Sequence, residues 1–166
     1  MSKPRIIGGT AKGRVLDVPK SGTRPSPSRL REALFNIIDF RPRGTFLDLY
    51  SGSGAVGLEA ASRGWQATCI DLSKDAAQTI RKNAQALRLD VQVVQGDALA
   101  YAKKHSGGFD VVFAAPPYPL ALEPIFETIL AAEVATFYIF QHPSEMTLSG
   151  DRRVYGTNAL TLLEPG

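Results

Sequence analysis

Apolar residues recur along this chain with two different periods, and the change of period organises it. Between Thr45 and Gln141, short apolar runs of strand length alternate with stretches in which apolar residues return every three or four positions. The first pattern marks buried strands and the second amphipathic helices. Strands are predicted over Thr45–Tyr50, Gln66–Asp71, Val91–Gln95, Phe109–Ala114 and Val134–Gln141. Helices are predicted from near Gly54 to Arg63, from Ser73 to Arg88, from Ala98 to Lys103 and from Leu120 to Ala132. Strand and helix in strict succession imply an α/β fold whose mostly parallel sheet is covered on both faces. After Pro143 the order changes. Arg153-Val154-Tyr155 and Ala159–Leu163, joined through Gly156-Thr157-Asn158, read as an antiparallel hairpin closing one side of the sheet.

The N-terminal quarter follows neither rhythm. Arg5-Ile6-Ile7 and Arg14–Val18, linked through Gly8, Gly9 and Gly13, predict a short hairpin. Ser26 followed by Pro27 predicts a helix start with proline at the first helical position. Leu30, Ala33, Leu34, Ile37 and Ile38 then form its inward face, with Arg29, Arg31 and Glu32 off that face.

Length and composition bound the class. A chain of 166 residues with 44% hydrophobic and 21% charged residues has room for one compact domain and material for its core. The single cysteine, Cys69, excludes an internal disulfide and a multi-thiol zinc site, and is expected to be a buried, inert thiol. No apolar stretch has the length of a signal or a membrane span, since the longest is broken by Pro116, Pro117 and Pro119. A cytoplasmic protein with no membrane or metal partner, acting as a monomer, is the expectation.

Charge is unevenly placed. Residues 1–43 carry ten basic and three acidic residues, a net +7, while the remainder is −4. Arginine outnumbers lysine in this segment, and Gly, Ser, Thr and Pro separate the bases, which suits phosphate contacts. Arg5, Lys12, Arg14, Arg24, Arg29 and Arg31 are the candidate contacts to nucleic-acid phosphates, the alternative being a solvated arm that keeps the protein soluble. The chain divides into a basic extension, 1–43, and an α/β domain, 44–166.

In an open α/β sheet, ligands bind beyond the C-terminal strand ends, so the first strand-to-helix turn is the place to look. Gly52, Gly54 and Gly57 satisfy G-x-G-x-x-G, and Asp71 ends the second strand 19 residues after Gly52, where an acid holds a ribose. A nicotinamide enzyme would satisfy these features alone. Asp48, just before the loop, would repel a diphosphate and attract a cation. S-adenosylmethionine carries an ammonium, a sulfonium and a ribose but no phosphate, so Asp48 suits its amino group and Asp71 its ribose. Asp97, after the third strand, either accepts from the adenine amine or caps the next helix. Tyr50, Ser51, Leu72 and Ala98 complete the candidate cofactor set with Gly52 and Gly54.

The fourth strand runs into Ala114-Ala115-Pro116-Pro117-Tyr118. Together with Arg5-Ile6-Ile7-Gly8-Gly9, Lys12-Gly13-Arg14, Thr23-Arg24-Pro25, Arg29, Arg31–Asn36, the loop Phe46–Ala60 and Tyr155-Gly156, this stretch resembles one family over almost the whole chain. It is the bacterial methyltransferases that modify the exocyclic N2 of a guanine in small-subunit (16S) ribosomal RNA. The resemblance implies a class I (Rossmann-like) S-adenosylmethionine-dependent methyltransferase fold with a seven-stranded sheet. It also implies S-adenosylmethionine as donor, S-adenosylhomocysteine as product, and the RNA of the small ribosomal subunit as partner. It places Ala115, Pro116, Pro117 and Tyr118 at the catalytic position.

There the chain departs from the family, which has Asp or Asn before Pro-Pro-Tyr or Pro-Pro-Phe where this chain has Ala115. An exocyclic amine attacks a sulfonium methyl well only when acceptors hold its N–H groups and turn the lone pair toward the carbon. A side chain at 115 and the Pro116 carbonyl would share this task, with Tyr118 as a platform for the extruded base. Losing one such group costs on the order of 10²–10³ in rate. Replacing Ala115 by Asp is therefore expected to raise transfer. The rival expectation is an RNA-binding or assembly module that keeps the cofactor pocket without catalysis. His105 is expected in a solvated loop, His142 beyond the fifth strand at the cleft edge, and Trp65 in packing.

Overall fold

The computed structural model describes residues 3–20, 26–118 and 120–165. Its elements, in chain order, are α1 (Ser28–Ile38), β1 (Thr45–Leu49), α2 (Ala55–Ser62), β2 (Gln66–Asp71), α3 (Lys74–Leu87) and β3 (Val91–Gln95). Then follow α4 (Ala98–Lys104), β4 (Phe109–Ala114), α5 (Leu122–Ala131), β5 (Ala135–Pro143), β6 (Asp151–Tyr155) and β7 (Asn158–Leu163). The seven strands form one sheet in the order β3-β2-β1-β4-β5-β7-β6. All neighbours from β3 to β5 are parallel, and β7 runs antiparallel between β5 and β6. The chain steps from β1 outward to β3, then returns to lay β4 on the other side of β1. That reversal opens a crevice above the C-terminal ends of β1 and β4.

Strand alternation divides the core between the two faces. Phe46, Val111, Phe113, Phe137 and Ile139 pack on one side with Leu30, Leu34, Phe35 and Ile38 of α1. Leu47, Leu49, Val112, Ala114, Tyr138 and Phe140 pack on the other with α4 and α5. No helix of the described residues is long and apolar enough to cross a membrane.

The N-terminal segment forms the expected hairpin in short form and is fastened to α2 as well. The two arms pair briefly, with Arg5 bridged antiparallel to Val15 and main-chain bonds from Ile6 N to Arg14 O, Gly13 N to Ile6 O and Leu16 N to Pro4 O. Beyond them the N–H groups of Ile7 and Gly8 both donate to the Glu59 carboxylate of α2, at 2.9 Å each. Ser62 continues the attachment: its hydroxyl donates to the Gly8 carbonyl at 2.6 Å and accepts from the Ala11 N–H at 2.9 Å. Gly9, at φ +80°, presses on the Ser62 carbonyl, where a side chain would collide. Helix α1 begins one residue later than expected, with Pro27 extended at φ −55°, ψ 143° in the capping position. The Ser26 hydroxyl is turned away from the helix and donates to Gln141 at 3.2 Å.

Two further expectations are corrected. Arg31 is not off the buried face: it is 1% exposed, and its Nη1 lies 3.3 Å from Glu59 and donates to the Arg5 carbonyl at 3.0 Å. A charge can lie there because its counter-charge is buried beside it. His142 lies within β5, not beyond it, and is fully buried. Its Nδ1 can only donate to the Pro143 carbonyl, at 2.8 Å, so Nε2 accepts from Thr161 Oγ1 at 2.7 Å. Burial lowers its pKa, which favours this neutral form.

Candidate active site

The turn after β1 is tight. Tyr50 takes the left-handed conformation at φ 61°, followed by Gly52 at 58° and Gly54 at 80°. At Gly54 an added Cβ would come 2.8 Å from Ile80 Cγ1, and at Gly57 it would strike Cys69 Sγ. Gly57 lets α2 lie directly on β2 and Gly54 lets the loop lie against α3, with Cys69 sealed behind α2 and its thiol pushed up by burial.

Four main-chain N–H groups of this loop already have acceptors. Ser51 donates to Ile70 O at 2.9 Å, Gly52 to Asp71 Oδ2 at 2.8 Å, Gly54 to Ser51 O at 2.8 Å and Ala55 to Ser53 Oγ at 3.3 Å. A phosphate-cradling loop needs such groups free and aimed outward. This one has four of its N–H groups taken up within the chain and is faced by two carboxylates.

Those carboxylates differ. Asp71, at the end of β2, accepts from Gly52 N and from Ser73 N at 2.9 Å. Asp48 is 1% exposed and accepts from Gly57 N at 3.0 Å. Among the described residues it has no ion-pair partner. Burial pushes its pKa up to about 7 against the opposing pull of its hydrogen bonds, with the charge of Asp71 adding to the rise. Asp97 caps α4, its Oδ2 accepting from Ala100 N at 2.9 Å, while the residue stays exposed at the crevice. Burial, then the charge of Asp97, push the Tyr50 phenol up to about 12.

One cavity of about 840 Å³ fills the crevice. It brings together eight of the nine residues expected to hold the cofactor: Asp48, Tyr50, Ser51, Gly52, Asp71, Leu72, Asp97 and Ala98. Gly54 lies behind the wall against Ile80. Leu72 stands 71% exposed at the rim, an apolar side chain facing open space. Ala115, Pro116, Pro117 and Tyr118 line the other end. So do Ser26, Gln141 and Asn158, none of which the sequence pattern singles out. The Tyr118 hydroxyl is hydrogen-bonded to Asn158, tying the loop after β4 to β7.

These residues suit S-adenosylmethionine. A buried carboxylate without a cation beside it among the described residues suits an ammonium, a second acid at the end of β2 suits ribose hydroxyls, and an exposed leucine suits a flat apolar ring. They do not suit a diphosphate.

A second depression, about 600 Å³, lies beside the first and shares Ser26 and Pro27 with it. Lys3, Arg5 and Lys12 line it, as does the buried Arg31. Arg5, Lys12, Arg14 and Arg29 are exposed, and Arg5 also donates to Gly13 O at 2.7 Å. Arg24 lies outside the described residues. His105 ends α4 stacked on Tyr101, and Trp65 is packed in the core.

Comparison with known proteins decides the family. Residues 4–152 match the family model described as "Conserved hypothetical protein 95". The chain belongs to this family. One relative is "Putative rRNA methyltransferase YlbH" of Bacillus subtilis (strain 168), 36% identical over 157 residues, spanning 87% of this chain and 85% of that protein. Another is "Ribosomal RNA small subunit methyltransferase D" of Escherichia coli (strain K12), 39% identical over 122 residues, 69% of this chain and 60% of that one. A solved structure, a hypothetical protein of Thermus thermophilus, superposes with a TM-score of 0.91 at 44% identity, covering 98% of this chain and 99% of that one. The family's fold is that of the class I methyltransferases.

Proposed function

We propose that this chain transfers a methyl group from S-adenosylmethionine to the exocyclic N2 amine of a guanine in small-subunit ribosomal RNA. The observation that carries the reading is Asp48, a buried carboxylate without a cationic partner among the described residues, beside a glycine loop in which the N–H groups of Ser51, Gly52, Gly54 and Ala55 are already occupied. The names of the relatives give the RNA class, and the exposed basic residues beside the cavity suit its phosphates.

The cofactor supplies an electrophilic methyl on a positively charged sulfur. Asp48 holds the ammonium end and is held ionised by it. Asp71, with a further lone pair on each oxygen, accepts from the ribose hydroxyls. Leu72 and Ala98 flank the adenine, and the outward oxygen of Asp97 accepts from its amine. Arg5, Lys12, Arg14 and Arg29 neutralise phosphates and guide the strand past Ser26 and Pro27 into the crevice. There Pro116 offers its carbonyl to an N–H of the target amine. The two prolines fix that carbonyl's direction, and Tyr118, anchored through Asn158, presents a ring for the base. Most of the acceleration comes from holding amine and methyl in line.

A second reading rests on Ala115, whose methyl offers the amine nothing: a module that binds cofactor and RNA without transfer. Labelled donor incubated with undermethylated small subunits separates the two. The methyltransferase reading predicts label on guanine N2 after nuclease digestion. Donor binding with no label on RNA would support the module instead.

A further inference from the structure

Resting on that function, we infer that the Gln141 carboxamide is the side-chain acceptor for the target amine. Strand register brings it there. In the parallel pair β4–β5, Phe113 lies opposite Ile139 and Ala114 opposite Phe140, so the next step sets Ala115 beside Gln141. Phe113 and Ile139 both point into the core under α1, and Ala115 packs against that same core. Side chains alternate along a strand, so Gln141 emerges on the face that carries Ala115. Neighbouring strands lie about 4.8 Å apart, a gap that the two methylenes and amide of a glutamine span. The small methyl at 115 leaves the space open.

Burial makes the amide purposeful. Gln141 is 8% exposed, lines the cavity, and follows inward-facing Phe137 and Ile139. A primary amide in such a place carries a desolvation cost that apolar packing would avoid. Among the described residues its Oε1 accepts only a long bond, 3.2 Å, from the Ser26 hydroxyl, where such bonds usually measure about 2.7–2.8 Å. The Gln141 amide also lies near the Tyr118 phenol, where it opposes the rise in pKa that burial causes, on the loop that bears the Pro116 carbonyl. Oε1 keeps a second lone pair beside Ser26 in the cavity that Pro116 also lines, so an entering amine meets two acceptors, one from the main chain and one from Gln141. Both are neutral, as suits a neutral base.

The test measures single-turnover methyl transfer and donor affinity for the wild type, Gln141→Met, Gln141→Leu and Ala115→Asp, and for Ala115→Asp combined with each Gln141 variant. Methionine keeps the length and packs flexibly, so it is the variant expected to fold, and leucine is the second. Loss of the acceptor slows transfer by about 10²–10³ with donor affinity held within about threefold. Asp at 115 raises transfer at least tenfold more in the Gln141 variants than in the wild type, the coupling expected of two acceptors for one group. Full activity in Gln141→Met overturns the inference. So does a loss that Asp at 115 fails to restore, which would mark Gln141 as packing. A wild type that binds donor yet methylates no RNA overturns the proposed function itself, and is distinguished by arising without any substitution.

Discussion

Two carboxylates are buried on either side of the glycine loop, and they are treated in opposite ways. Glu59, in α2, is fully buried and surrounded by donors: the N–H groups of Ile7 and Gly8, Arg31 Nη1 at 3.3 Å and Arg63 Nε at 2.8 Å. Asp48, at the end of β1, is as deeply buried and has no cation beside it among the described residues. Glu59 is matched from within the chain and fastens the basic extension to the sheet. Asp48 is left to be matched from outside, so burial alone does not distinguish a structural charge from a binding one. The supply of partners does.

The contrast breaks most visibly at Glu59. Glu59→Ala strands the buried Arg31 charge and two N–H groups, and lowers stability by about 3–5 kcal/mol, read from urea unfolding. Asp48→Asn does the reverse. It weakens donor binding by about 10- to 100-fold, the worth of a charged hydrogen bond, while making the free protein more stable at neutral pH. The sign follows from the raised pKa. Between the unfolded value of 3.8 and the folded value of about 7, the folded state binds more protons than the unfolded one. Stability therefore falls as pH rises through that window and stays reduced above it. Melting curves at pH 5 and pH 8 show it: the asparagine variant loses this part of the pH dependence.

Two smaller effects sharpen the comparison. Lys12→Ala and Arg29→Ala, on the surface that Glu59 anchors, each reduce the slope of log affinity for RNA against log salt by about 1 and leave donor binding intact. Leu72→Ala weakens the donor by about 1 kcal/mol, since the ring it would cover is lost, and leaves stability within about 0.5 kcal/mol because the residue is already exposed.

The strand and helix succession was legible from the sequence because each segment's apolar period carries its own burial. That Asp48, Tyr50, Gly52, Asp71 and Asp97 meet at one crevice was legible for a related reason: they lie within a few positions of strand ends, where the fold class fixes their place. Arg31 was not, because its counter-charge lies 28 residues away and periodicity cannot see it. His142 was misplaced because its partner, Thr161, comes from β7, whose insertion beside β5 leaves no local trace. Ser26 looked like a helix cap because its actual partner, Gln141, lies 115 residues on. Gln141 itself reads as an ordinary strand residue until register sets it beside Ala115.

Calorimetric titration at pH 6 and pH 7, in two buffers of different ionisation enthalpy, tests the claim about Asp48 most directly. S-adenosylmethionine should bind and release a proton as Asp48 ionises against the incoming ammonium, more at pH 6 than at pH 7, while NAD gives no saturable heat. Saturation by NAD with no heat from S-adenosylmethionine or S-adenosylhomocysteine would contradict the account.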